Sequence, residues 1–161
     1  MRRSKPDVVI PSACERTALD LLARREHSRR ELERKLASRG FPDETIASTL
    51  DALEESGQLA AARFTESFIR SRVAKGQGPA RIRAELAERG IGRDQAAELL
   101  RAADIDWVAL ASSVRDKRFG APRPTDFKER ARQARFLEYR GFDHEQIGSA
   151  LSPGRREDPR S

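Results

Sequence analysis

The stretch ASRGFPDETIASTL, residues 37–50, is echoed by AERGIGRDQAAELL at 87–100 and again by LEYRGFDHEQIGSAL at 137–151. Aligned on Gly40, Gly90 and Gly141, the copies lie 50 and 51 residues apart, a period typical of helical repeats. Leucine stands four residues before each glycine (Leu36, Leu86, Leu137) and arginine immediately before it (Arg39, Arg89, Arg140). Phe41, Ile91 and Phe142 follow, and Leu50, Leu100 and Leu151 close each copy. A helix ends readily on a left-handed residue, where glycine carries no Cβ penalty. With Gly40 at C′, Phe41 takes C″ and Leu36 takes C3, the pair that touches in a Schellman stop. The arginine then sits at the negative end of the helix dipole. Each copy therefore reads as a helix, a glycine stop and a second helix.

A further helix precedes each pair. Ala18, Leu19 and Leu22 share a face in the first unit, and Ser28 with Glu31 forms a capping box for the helix that follows. In the second unit Phe64 and Phe68 are four apart, and Gly78-Pro79 opens the next helix with proline at N1, where its missing N–H is harmless. In the third, Trp107, Leu110, Ala111 and Val114 follow helical spacing, and Asp126 with Glu129 caps the helix after a linker bearing Pro122 and Pro124. No strand alternation occurs. The expected fold is all-α, an elongated tandem array of three three-helix, helix-turn-helix-like repeats. Their expected bounds are 13–56, 57–103 and 104–151, between disordered polar tails at 1–12 and 152–161.

Composition narrows the function. Hydrophobic residues are 37% and charged residues 36%, so any core is thin, and no apolar run is long enough to span a membrane. The start of the chain holds only Val8–Ile10 as an apolar stretch, too short for an export signal. Cys14 alone makes no internal disulfide and reads as a small apolar helix residue in a reducing compartment. The net charge of +6, carried mostly by arginine, points to an anionic partner, either nucleic acid or an acidic protein surface.

Catalytic patterns are missing. His27 and His144 fall in different repeats, and HEQIG at His144 lacks the second histidine of a zinc-protease helix. KGQGPAR, residues 75–81, has neither a preceding strand nor a Walker lysine, so Gly76 and Gly78 read as helix punctuation. No cofactor, no metal and no enzymatic activity are expected. The basic clusters remain: Arg24, Arg25 and Lys35 in the first unit, and Arg63, Arg70, Arg72, Lys75, Arg81 and Arg83 in the second. Arg115, Lys117, Arg118 and Arg123 mark the junction to the third, and Arg130, Arg132, Arg135 and Arg140 follow in it. Such clusters recurring along one scaffold suit a long binding face, and the nine residues of the first two units are the expected partner contacts.

These residues resemble a known family. Leu36-x3-Gly40-Phe41-x4-Ile46-x3-Leu50 with its echoes, ALDLLARREHSRRELERKL at 18–36, and ARFTESFIRSRVAKGQGPARIRAELAERGI at 62–91 are similar to the RecX family of regulators of the RecA recombinase. Arg63-Phe64, Arg70, Arg72, Gly76 and Gly90 stand where the family's middle-repeat motif has them, and the likeness spans about residues 14–151. It implies a monomeric, cytoplasmic protein of DNA repair, homologous recombination and the SOS response. The protein would lie along the groove of the RecA–DNA filament and lower ATP hydrolysis, filament extension and strand exchange. Single- or double-stranded DNA is a further implied partner, and a helix-turn-helix protein acting on DNA directly is the competing reading. The chain departs from the family at Ala61 and Ala62, where acidic residues are common, and at Gln133, where the other repeats have Leu32 and Ile82. The latter predicts a looser third unit.

Overall fold

A computed structural model describes residues 12–153. The expected terminal tails lie outside these residues, apart from Ser12, Ser152 and Pro153. Among the described residues nine helices run in order: α1 (Ala13–Arg24), α2 (Arg29–Ser38), α3 (Asp43–Glu55), α4 (Ala61–Ala74), α5 (Pro79–Glu88), α6 (Arg93–Ala102), α7 (Trp107–Phe119), α8 (Phe127–Tyr139) and α9 (His144–Leu151). No strand occurs among the described residues.

All three glycine stops form as their spacing requires. Phe41 N–H donates to the Leu36 carbonyl at 3.3 Å and Gly40 N–H to Ala37 at 3.0 Å, both bonds of a Schellman motif. Ile91 and Gly90 repeat this on Leu86 and Ala87, as Phe142 and Gly141 do on Leu137 and Glu138. The three glycines have φ of 88°, 82° and 100°, in the left-handed region. A fourth stop, at Gly76, has the same pattern: Gln77 N–H reaches the Arg72 carbonyl and Gly76 N–H reaches Val73.

Helix starts follow local chemistry as well. Ser28 Oγ accepts from Glu31 N–H, and Asp126 Oδ1 accepts from Glu129 N–H. The Glu31 carboxylate turns to Arg25 at 2.6 Å and that of Glu129 to Arg132, so these two starts depart from the expected reciprocal box. Asp143 and Gln146 make a complete one at α9. Gly78 and Pro79 begin α5 as their order requires.

The chain divides into two compact units, the residues through Phe64 and those from Thr65 on, with the division inside α4. The first unit buries Ala18 of α1, Leu32 and Leu36 of α2, and Leu50 and Leu53 of α3 in one cluster that includes Cys14. In the second unit α7, α8 and α9 enclose Ala111, Val114, Leu137, Phe142, Ile147 and Leu151.

Within that second unit, the second and third helix triplets meet backbone to backbone. Gly78 N–H donates to the Arg140 carbonyl at 2.8 Å, and Ala80 N–H donates to the Gly141 carbonyl at 3.0 Å. A Cβ on Gly78 would run into the Gly141 carbonyl, and one on Gly141 into Arg81. Gly141 thus both stops α8 and admits the start of α5 at its surface.

One residue of the third triplet sits differently from its sequence reading. Arg115, read as part of a surface cluster, is wholly buried. Its Nη2 donates to the carbonyls of Gly120 and Pro122, each at 2.7 Å, and Nη1 reaches Asp116 at 3.3 Å. The side chain therefore pins the α7–α8 linker to α7 and is taken out of the basic surface. Gln133, in place of an apolar residue, is buried too, with Nε2 donating to Glu129 at 3.1 Å.

Candidate partner-binding surface

The basic residues divide by what lies next to them. In the first unit Arg25 donates to the Glu26 carbonyl and pairs with Glu31. Arg63 pairs with Glu26 at 3.0 Å and donates to the carbonyls of Gly57 and Gln58, tying the α3–α4 turn to the α1–α2 turn. Lys35 lies 2.9 Å from His27 Nε2. The His27 ring is buried, and its Nδ1 is 2.9 Å from the Arg25 carbonyl. A carbonyl only accepts, so Nδ1 carries the proton and Nε2 accepts from the Lys35 ammonium. Burial lowers the His27 pKa below 6.5, the Arg25 and Lys35 charges lower it further, and the Arg25 backbone bond and Glu31 oppose them. Arg24, in the last turn of α1, is exposed and pairs with no carboxylate among the described residues.

In the second unit Glu85 of α5 is the hub. Arg72 of α4 meets it at 2.8 Å and Arg81 at 3.4 Å. The Arg72 and Arg89 guanidiniums lie 4.4 and 4.7 Å from the Phe68 ring, and Arg81 lies 5.5 Å from that of Tyr139. Arg72 and Arg81 therefore hold helices together. Arg70, Lys75 and Arg83 are exposed and pair with no carboxylate among the described residues. Arg70 borders an apolar cleft of about 490 Å³ formed with Ile69, Val73, Leu99 and Ile105.

Lys75 belongs to a basic cleft of about 430 Å³, where Lys117 and Arg118 of α7 and Arg140 after α8 converge with it over Gly76. Every charged side chain lining this cleft is cationic. Arg140 Nη1 donates to the Lys75 carbonyl at 3.1 Å and lies against Phe136, as Arg118 lies against Phe119 and Phe136. The nine expected contacts include Lys75 but omit the other three. The register was there to find: Leu110, Ser113, Val114 and Lys117 recur at helical spacing on α7 and all line the cleft.

No group of three or more histidine, cysteine, aspartate or glutamate side chains is placed to hold a metal ion among the described residues. No helix among them is long and apolar enough to cross a membrane.

Each helix triplet matches a distinct family model: RecX first three-helix domain over residues 14–53, second over 62–100 and third over 104–151. The chain belongs to the RecX family. Regulatory protein RecX of Pseudomonas entomophila (strain L48) is 54% identical over 142 residues, covering 88% of this chain and 92% of that one. Regulatory protein RecX of Halorhodospira halophila (strain DSM 244 / SL1) is 49% identical over 143 residues, covering 89% of each. Among solved structures, RecX from Lactobacillus salivarius superposes with a TM-score of 0.72 at 20% identity, covering 86% of this chain and 92% of that one. The last likeness establishes the fold, and the closer relatives place this chain among regulatory proteins.

Proposed function

We propose that this RecX-family chain is a negative modulator of RecA that acts by binding and not by catalysis. It lies along the groove of the RecA–DNA filament in the cytoplasm and lowers ATP hydrolysis, filament extension and strand exchange. The observation that carries the reading is the complete set of three RecX domains, which pairs the chain with relatives named regulatory proteins. Solvent-facing Arg24, Arg70, Lys75 and Arg83, spread over both units, suit it, because several separate weak contacts along a repeating partner add up by avidity. Homologous recombination, DNA repair and the SOS response are the processes such an activity enters.

The test is ATP hydrolysis by the cognate RecA on single-stranded DNA, titrated with this protein while DNA is in excess. Inhibition at or below stoichiometric amounts supports the reading. The basic cleft favours one competitor, a helix-turn-helix-like protein that acts on DNA directly. Unchanged hydrolysis together with salt-sensitive binding to bare DNA would favour that competitor.

A further inference from the structure

We propose that the basic cleft between the end of α4, α7 and α8 is a phosphate site that seats the phosphodiester backbone of a nucleic-acid strand. Lys75, Lys117, Arg118 and Arg140 converge on a single concavity, and none of them is ion-paired with a described residue. By contrast, Arg72 and Arg81 of the same unit share the Glu85 carboxylate. Four like charges around one cleft repel one another, and a bound anion relieves that repulsion.

The cleft is also held ready. Arg118 and Arg140 are positioned by the faces of Phe119 and Phe136 and by the Lys75 carbonyl, not by carboxylates. Aromatic faces and a carbonyl fix a guanidinium without cancelling its charge. Gly76 is what permits the arrangement. Its φ is 76°, and a Cβ there would stand 2.8 Å from Val114 Cγ2, so a side chain would push α7 away from the turn.

A phosphodiester strand fits this cleft better than an acidic peptide does. It brings charge at fixed, close spacing to several cations at once. Its sugars meet the apolar part of the lining, from Val73, Leu110 and Phe136. The inference rests on the reading that the partner carries DNA, yet it is tested without any recombinase.

The experiment is fluorescence anisotropy of a labelled 30-mer of deoxythymidine with the full chain, its Lys117→Gln/Arg118→Gln variant and an Arg93→Gln/Arg101→Gln control. Both variant pairs are exposed and remove the same charge, and circular dichroism of each variant checks helicity. The cleft variant should bind about tenfold more weakly. Its log K against log salt slope should be shallower by about 1.4, from roughly 0.7 per phosphate contact on a single strand. The control should lose less than about threefold, a figure set by general screening alone.

Equal losses in the two variants would overturn the site, leaving only diffuse charge. So would displacement of the strand by poly-glutamate at matched charge, or by free thymidine monophosphate at matched phosphate. Absence of binding by the unaltered chain would also overturn it. RecA inhibition measured in parallel separates the two readings. Lost inhibition with intact cleft binding sinks only the filament reading, and intact inhibition without strand binding sinks only the cleft.

Discussion

Gly78 packs against Gly141 with no side chain between them, joined through hydrogen bonds from Gly78 to the Arg140 carbonyl and from Ala80 to the Gly141 carbonyl. Gly40 performs the same helix stop in the first unit, yet nothing lies within 4 Å of where its Cβ would be. Gly40 and Gly141, which look alike in the sequence, therefore carry different loads.

Gly40→Ala should cost only the left-handed penalty, about 1–2 kcal/mol. Gly141→Ala should add about 1–3 kcal/mol for displaced packed backbone. Urea unfolding followed by fluorescence of Trp107, the chain's one tryptophan, reports the third triplet, against whose core that side chain packs. An unshifted Trp107 midpoint for Gly141→Ala would refute the close approach.

His27 should make the first unit acid-sensitive. Its pKa is lowered in the folded chain, so the unfolded chain binds a proton first as pH drops from neutrality. The stabilisation is therefore complete above about 6.5 and is lost as pH falls toward the lowered folded value. Protonation would also set an imidazolium N–H against the Lys35 ammonium. Comparing urea midpoints at pH 7.5 and 5 in the native chain and His27→Gln checks this: the variant should lose part of the decline. Identical declines would remove His27 as the cause.

Arg115 should be a structural residue. Burial and the Arg123 charge pull its pKa below the ordinary value, Asp116 opposes them, and a guanidinium stays charged at neutral pH even so. Arg115→Met strips the Gly120 and Pro122 carbonyls of their donors, at about 2–4 kcal/mol. Amide exchange across residues 120–126 should quicken, and the Trp107 midpoint should fall. An intact linker in the variant would show that the prolines alone hold it.

For the recombinase contact, reversing Arg70, Lys75 and Arg83 to glutamate should raise the amount of protein needed for half-inhibition of RecA hydrolysis by about tenfold or more, with helicity unchanged. Arg72→Glu should instead unsettle the fold, because it sets two carboxylates together at Glu85. Full inhibition by the triple variant would move the contact elsewhere.

By itself the sequence determined the three helical triplets and their stops, since capping and Schellman bonds close within about six residues of chain. Leu36, Gly40 and Phe41 name such a stop without any knowledge of what they pack against. The charged surface could not be read the same way. Arg63 finds Glu26 37 residues away, and Arg140 finds the Lys75 carbonyl 65 residues away. Which arginines are spent inside the molecule, that Arg115 is buried, and that Lys75, Lys117, Arg118 and Arg140 share one cleft were decided only by the tertiary structure. The physical reason is that an arginine's charge is the same everywhere, while the group that holds it is chosen by how residues distant in the chain come together.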